Sequence, residues 1–209
     1  MARISARARR IRTAILAAAA AVTLAVTISG CSSNDALAQQ FKDGSGKNFV
    51  AGDGTITEIQ PKNRTAAVRF AGKLEDGNVV SSAAYAGKVL VLNFWYAGCA
   101  PCRAEAPDLE KNNSKFSGRG VEFLGVNVRD QADTALAFAR TYGITYPSVL
   151  DASDGAMQLA FSGVVAPNAV PTTLVVDRQG RVAARVLGQL PDASVLTALI
   201  SRVLSEQGP

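Results

Sequence analysis

The stretch Val89-Leu90-Val91-Leu92-Asn93-Phe94-Trp95, followed three residues later by Cys99-Ala100-Pro101-Cys102-Arg103-Ala104-Glu105, decides the fold. Seven consecutive β-prone residues without a charge read as a central strand covered on both faces. The residues after Cys99 read as a helix, so the C-x-x-C pair stands at a strand-to-helix junction. The strand then fixes the first sulfur at a sheet edge. The helix aims its unpaired N–H groups and partial positive end at that sulfur, which favours thiolate over thiol. The second cysteine, one helical turn on, can attack a mixed disulfide formed by the first and release the partner. A redox pair is the chemistry this spacing supports.

Composition removes the competing chemistries. The 209-residue chain has three cysteines and no histidine. Ser-His and Cys-His catalysis, haem attachment through C-x-x-C-H, and His-containing zinc sites are therefore excluded. A four-thiolate metal site is excluded too, because Cys31 stands far off in another context. Neither a metal nor a cofactor is needed for dithiol exchange.

Residues 1–30 read as an export signal. Arg3, Arg7, Arg9, Arg10 and Arg12 precede an uncharged apolar run from Ala14 to Ile28. That run, at about fifteen residues, is short of the roughly twenty a membrane span needs. It ends in Ile28-Ser29-Gly30-Cys31, which is similar to a bacterial lipobox with Cys31 as the lipidated residue. The alternatives are an ordinary signal peptide cut near Ala36 to Ala38 and an uncleaved anchor. Arg9-Arg10 leaves twin-arginine export open, although its surroundings match that motif poorly. The leader holds five of the 22 basic residues and none of the 17 acidic ones, so the remainder carries 17 of each and no nucleic-acid footprint. Residues 31–55, rich in Ser, Asn, Asp, Gly and Lys, read as a flexible tether. Residues 56–209 suit one domain with one core.

Along that domain, Val68 to Leu74 and Asn78 to Ser82 flank Glu75-Asp76-Gly77 as a hairpin signal. The pattern predicts a helix over Ala100 to Phe116 with a kink at Pro107, a strand over Val121 to Val128, and a helix over Ala132 to Tyr142. Leu136, Phe138 and Ala139 are the inward candidates of that second helix. A short extended segment at Ser148 to Leu150 and a short helix at Gly155 to Phe161 follow. Thr172 to Asp177 and Val182 to Leu187 form a second hairpin, and Asp192 caps a last helix through about Leu204. The order β-α-β-α-β-β-α gives an α/β fold, a mixed central sheet with helices on both faces.

These residues resemble a thioredoxin-fold protein, specifically the TlpA/ResA-type extracytoplasmic thiol-disulfide oxidoreductases, from about Phe70 to Leu204. Three blocks carry the likeness: Val91 to Pro107 with both cysteines; Tyr142-Gly143-Ile144-Thr145-Tyr146-Pro147 with Val149-Leu150-Asp151; and Val170-Pro171-Thr172-Thr173. The resemblance implies a thioredoxin-like three-layer fold with an N-terminal β-hairpin extension. It implies a cis bond before Pro171 that lies against the sulfurs and leaves a neighbouring backbone group free to pair with an incoming chain. Thioredoxin carries a buried Asp on the strand before its cysteines, where this chain has Asn93, which cannot titrate. Glu105, three residues after Cys102, matches the family's acidic residue and becomes the candidate base; the plainer alternative is a first-turn Glu that favours the helix dipole.

Trp95 matches the family's active-site tryptophan, with core packing as its plain alternative. Gly98 departs from the pattern, which often has a second Trp there. Arg103 flanks Cys102 and reads more simply as a solvated residue. Ala100-Pro101 offers no side-chain donor to a thiolate, which favours a reductase. The resemblance thus implies Cys99 as an exposed low-pKa attacker, Cys102 as the resolving thiol, Glu105 handling the proton, and Trp95, Val170 and Pro171 meeting the substrate. Its partners would be proteins bearing disulfides or dithiols, such as apocytochromes c, and a membrane thiol-reductant transporter of the CcdA or DsbD kind. The location would be the outer face of the bacterial cell membrane, through a lipid on Cys31.

Two rivals stand beside it. A peroxidase of the peroxiredoxin type shares the fold, but Tyr96 occupies the position where that site expects Thr or Ser. A binding lipoprotein could use Cys99–Cys102 as an inert staple, although so small a loop constrains little chain entropy.

Overall fold

All seven residues of the strand Val89–Trp95 are buried. The computed structural model describes residues 49–50, 56–166 and 169–206. Its strands are β1 (Phe49–Val50), β2 (Ile56–Glu58), β3 (Ala71–Lys73), β4 (Val79–Ser81), β5 (Val89–Trp95), β6 (Val121–Asn127), β7 (Ser148–Leu150), β8 (Thr172–Val176) and β9 (Val182–Leu187). Its helices are α1 (Ala100–Phe116), α2 (Ala132–Tyr142), α3 (Ala156–Ala160) and α4 (Ala193–Ser205). The seven-stranded sheet has the order β1-β2-β9-β8-β5-β6-β7, and β3-β4 make a separate hairpin. Strand β5 runs parallel to β6 and antiparallel to β8, as an α/β core with an antiparallel flank requires.

Alternation along β5 builds two cores. Val89 and Val91 face α1 and α4, where Leu109, Phe116, Leu196, Leu199, Ile200 and Val203 bury their side chains. Leu90, Leu92 and Phe94 point to the opposite face, against Met157, Phe161 and Phe70. The apolar stripe expected on the last helix is thus its buried face, and Asp192 Oδ1 caps α4 by accepting the Ser194 N–H at 2.7 Å. Asn112 staples α1 to α4, donating to the Ala193 carbonyl at 3.0 Å and accepting from Thr197 Oγ1 at 2.7 Å.

The helix α1 spans the expected Ala100–Phe116 with Pro107 inside it and exposed. Two expectations need adjustment. Leu136 is 39 % exposed, because the stripe of α2 that meets the sheet runs through Ala135 and Phe138. The tether expected through residue 55 contains β1, whose Phe49 and Val50 pair with Glu58 and Thr57. The leader, Cys31 and the rest of the tether lie outside the described residues.

Candidate active site

The cysteines stand where β5 gives way to α1. Cys99 is the N-cap of α1, and its Sγ accepts the Cys102 N–H at 3.2 Å. The two sulfurs are joined, with an S–S distance of 2.06 Å and Cα atoms 5.2 Å apart. The helix end therefore directs a donor and its dipole at the first sulfur, the arrangement that stabilises a thiolate.

Cys99 is not the exposed member expected of an attacker. It is 3 % exposed and Cys102 2 %, and both pack in a cluster with Trp95, Ala106 and Phe138. What distinguishes the two is position: Cys99 caps the helix between exposed Gly98 and Ala100, whereas Cys102 lies within it.

Glu105 is buried at 1 % exposure and ties three elements together. Its Oε1 accepts from Asn93 Nδ2 on β5 at 2.8 Å, and its Oε2 accepts the Leu190 N–H of the β9–α4 loop at 2.8 Å. The Asn93 amide also reaches Thr173 Oγ1 on β8 at 3.1 Å. Burial raises the Glu105 pKa to about 7, with the two hydrogen bonds pulling against that rise and Asp108 adding to it. Asn93 thus bridges Thr173 and Glu105, and the titratable member of this set of contacts is on the helix. A small cavity of about 10 Å³ beside Cys102 is lined by Asn93, Tyr146 and Ser148 among others. That is room for at most about one water between the second sulfur and the partner of Glu105.

Val170–Pro171 is a cis bond. Val170 packs against the cysteine cluster, and the Pro171 carbonyl accepts the Gly188 N–H at 2.9 Å. Pro171 itself is buried. Gly188 and Leu190 belong to one loop, so the proline and Glu105 are fastened to the same segment. Trp95 is 5 % exposed, its ring 4.2 Å from that of Phe138, so it supports the sulfurs from beneath and offers little surface to a visitor.

The structure brings Cys99, Cys102, Glu105, Trp95 and Val170 into one region and adds residues absent from the sequence-based site. Asp130 Oδ2 accepts the Ala97 N–H at 2.6 Å, and Arg103 Nη1 donates to the Ala97 carbonyl at 3.1 Å. The Arg129 guanidinium lies 4.2 Å over the Tyr96 ring. Asp130 is 33 positions from Ala97 and belongs to no local motif, so only the pairing of β5 with β6 brings it there.

A C-x-x-C disulfide at the head of a helix, beside a cis-proline on a mixed sheet, defines a thioredoxin-fold protein with a dithiol site. The chain belongs to the AhpC/TSA family, whose model matches residues 64–185. Among named relatives it is 35% identical over 106 residues to the thiol-disulfide oxidoreductase ResA of Geobacillus thermodenitrificans, covering 51% of this chain and 58% of ResA. It is 35% identical over 119 residues to the thiol:disulfide interchange protein HelX of Rhodobacter capsulatus, covering 57% of this chain and 62% of HelX. The chain thus spans about three fifths of the length of these curated relatives. A crystal structure of a DsbF homologue from Corynebacterium diphtheriae superposes with a TM-score of 0.63 at 35% identity, over 76% of this chain and 99% of that one. These similarities place the chain with the TlpA/ResA-type members of the family.

Proposed function

We propose that the protein is an extracytoplasmic thiol-disulfide oxidoreductase that reduces disulfides in exported proteins. The observation that carries this reading is the Cys99–Cys102 bond at the N-terminus of α1, with Cys99 Sγ accepting a backbone N–H. In the reduced protein the Cys99 thiolate attacks one sulfur of a client disulfide. A Cys99–client bond forms, and the client's other sulfur leaves as thiolate. Cys102 loses its proton to the Glu105 carboxylate and attacks Cys99 Sγ. The Cys99–Cys102 bond forms, and the client's second thiolate departs. The client gains two electrons and the dithiol gives up two. Glu105, with a pKa near neutrality, suits both taking and releasing that proton.

Val170 is the proposed docking edge. Its backbone forms no hydrogen bond with another described residue, and the cis bond after it orients the chain beside the sulfurs. Disulfides of apocytochromes c are the proposed substrates, and a CcdA- or DsbD-like transporter the proposed electron source. Lipidation at Cys31 would hold the domain at the membrane; among the described residues, no helix is long and apolar enough to cross one.

The test is a turnover assay with the prereduced protein and a peptide disulfide, run beside a peroxide-consumption assay. Faster loss of the peptide disulfide than of peroxide is expected. Peroxide consumption matching or exceeding it would make the protein a peroxidase, and a Cys99–Cys102 bond that resists prereduction by glutathione would make it a staple.

A further inference from the structure

Tyr96, Ala97 and Gly98 join β5 to the cysteines, and the reaction scheme assigns nothing to the side chains that hold them. The Ala97 peptide is gripped on both sides. Its N–H goes to Asp130 Oδ2 at 2.6 Å, a short charge-assisted bond, and its carbonyl receives Arg103 Nη1 at 3.1 Å. Asp130 is itself seated by Asn127, which is completely buried. Asn127 Nδ2 donates to the same Oδ2 at 2.8 Å, while Asn127 Oδ1 accepts the N–H groups of Asp130 at 2.7 Å and Arg129 at 3.1 Å. Asn127 stands opposite Trp95 in the parallel register, so this brace joins the ends of the two neighbouring strands. Beyond it, the Cys99 N–H closes a turn onto the Tyr96 carbonyl at 3.1 Å.

We propose that Asp130, seated by Asn127, is a positioning residue that fixes the Ala97 peptide and thereby holds Cys99 Sγ at the N-terminus of α1. This rests on Cys99 being the attacking sulfur. Loosening the peptide would let Cys99 drift from the Cys102 N–H and the helix end, the two features that favour its thiolate. The titratable groups packed with that sulfur are Cys102 on α1, Tyr96 before the helix and Tyr142 at the end of α2; Arg103 and Asp130 are bonded to the Ala97 peptide, and Arg129 lies over the Tyr96 ring. A purely electrostatic role for Asp130 has the opposite sign, because a carboxylate near a thiolate disfavours it.

The experiment reads the alkylation rate of Cys99 against pH in the reduced, full-length protein, with iodoacetamide as probe. Asp130→Ala is expected to slow alkylation at neutral pH by about tenfold and to move the pH profile upward by about one unit. Asp130→Asn keeps an oxygen for the Ala97 N–H and is expected to recover the rate to within about twofold. Arg103→Met, which releases the other side of the same peptide, should shift the profile in the same direction as Asp130→Ala. An unmoved profile in Asp130→Ala, a downward shift, or no recovery in a folded Asp130→Asn would overturn the proposal. If Asp130→Ala does not fold, an unmoved profile in Arg103→Met overturns it. Failure of the unaltered protein to reduce a peptide disulfide would sink the oxidoreductase reading instead, whatever the variants do.

Discussion

Glu105 carries the proton chemistry because a carboxylate with two strong donors is nonetheless held in a site too dry for its charge. Its folded pKa of about 7 stands above the ordinary 4.5, so between those values the folded state binds more protons than the unfolded one. Stability from this group is therefore complete below about pH 4.5 and declines as pH rises through about 7. At about 1.4 kcal/mol per unit, the loss is on the order of 3 kcal/mol. Glu105→Gln should flatten that decline in urea unfolding between mildly acidic and mildly alkaline pH, and should slow release of client from the mixed disulfide by roughly tenfold or more. Unchanged pH dependence and unchanged release would remove Glu105 from the mechanism. The residue was a candidate through the resemblance, which has an acidic residue three positions after the second cysteine. Its partner Leu190 was not, since the loop supplying that N–H is 85 positions away. Asp130 was invisible for the same reason.

At the scale of elements, the seven-residue apolar run marked β5 as the central strand, and every α-helix and hairpin among the described residues from 68 onward was readable from periodicity, turns and caps, whereas the short 3-10 turn Ser82–Tyr85 was not. The pairing partners were not, because hydrogen-bond register leaves no local trace. Strand β2, only Ile56–Glu58, joins the sheet by pairing with Val186, Arg185 and Ala184 of β9. Leu136 was misplaced because α2 buries only a narrow stripe through Ala135 and Phe138, fitted to the Trp95 ring. The close approach of β6 to that ring explains Gly125. A Cβ there would collide with Ser148 Oγ and come within 2.8 Å of Trp95 Nε1. Gly125→Ala should therefore destabilise the domain by about 1–3 kcal/mol through overpacking beside the dithiol. A thermal midpoint equal to that of the unaltered protein would show that the strand and ring can yield freely.

For the molecule as a whole, one polar network at the end of the sheet opposite the dithiol secures the ends of the described domain. Arg64, with its side chain 2% exposed, binds Asp177 at 2.9 Å and Glu206 at 2.5 Å and donates to the Ile59 carbonyl at 2.9 Å. Burial works to raise the Asp177 pKa, but hydrogen bonds from Arg181 and Arg64 hold it below the ordinary aspartate range. Stability from Asp177 is therefore present above its unfolded pKa and lost as pH falls through its folded one. Its contribution therefore changes with pH in the sense opposite to that of Glu105. Arg64→Ala, which strips a buried pair of one partner, should cost about 3 kcal/mol and lower the urea midpoint, without changing the Cys99 alkylation profile. A midpoint within error of the unaltered protein would show the network to be dispensable. The account rests most heavily on Cys99 as the sulfur that meets the client. Its direct measurement is mass spectrometry of Cys102→Ser and Cys99→Ser proteins after exposure to a peptide disulfide. A persistent mixed disulfide on Cys99 in the first protein, with little on Cys102 in the second, is the predicted result; equal capture on both, or capture on neither, would contradict it.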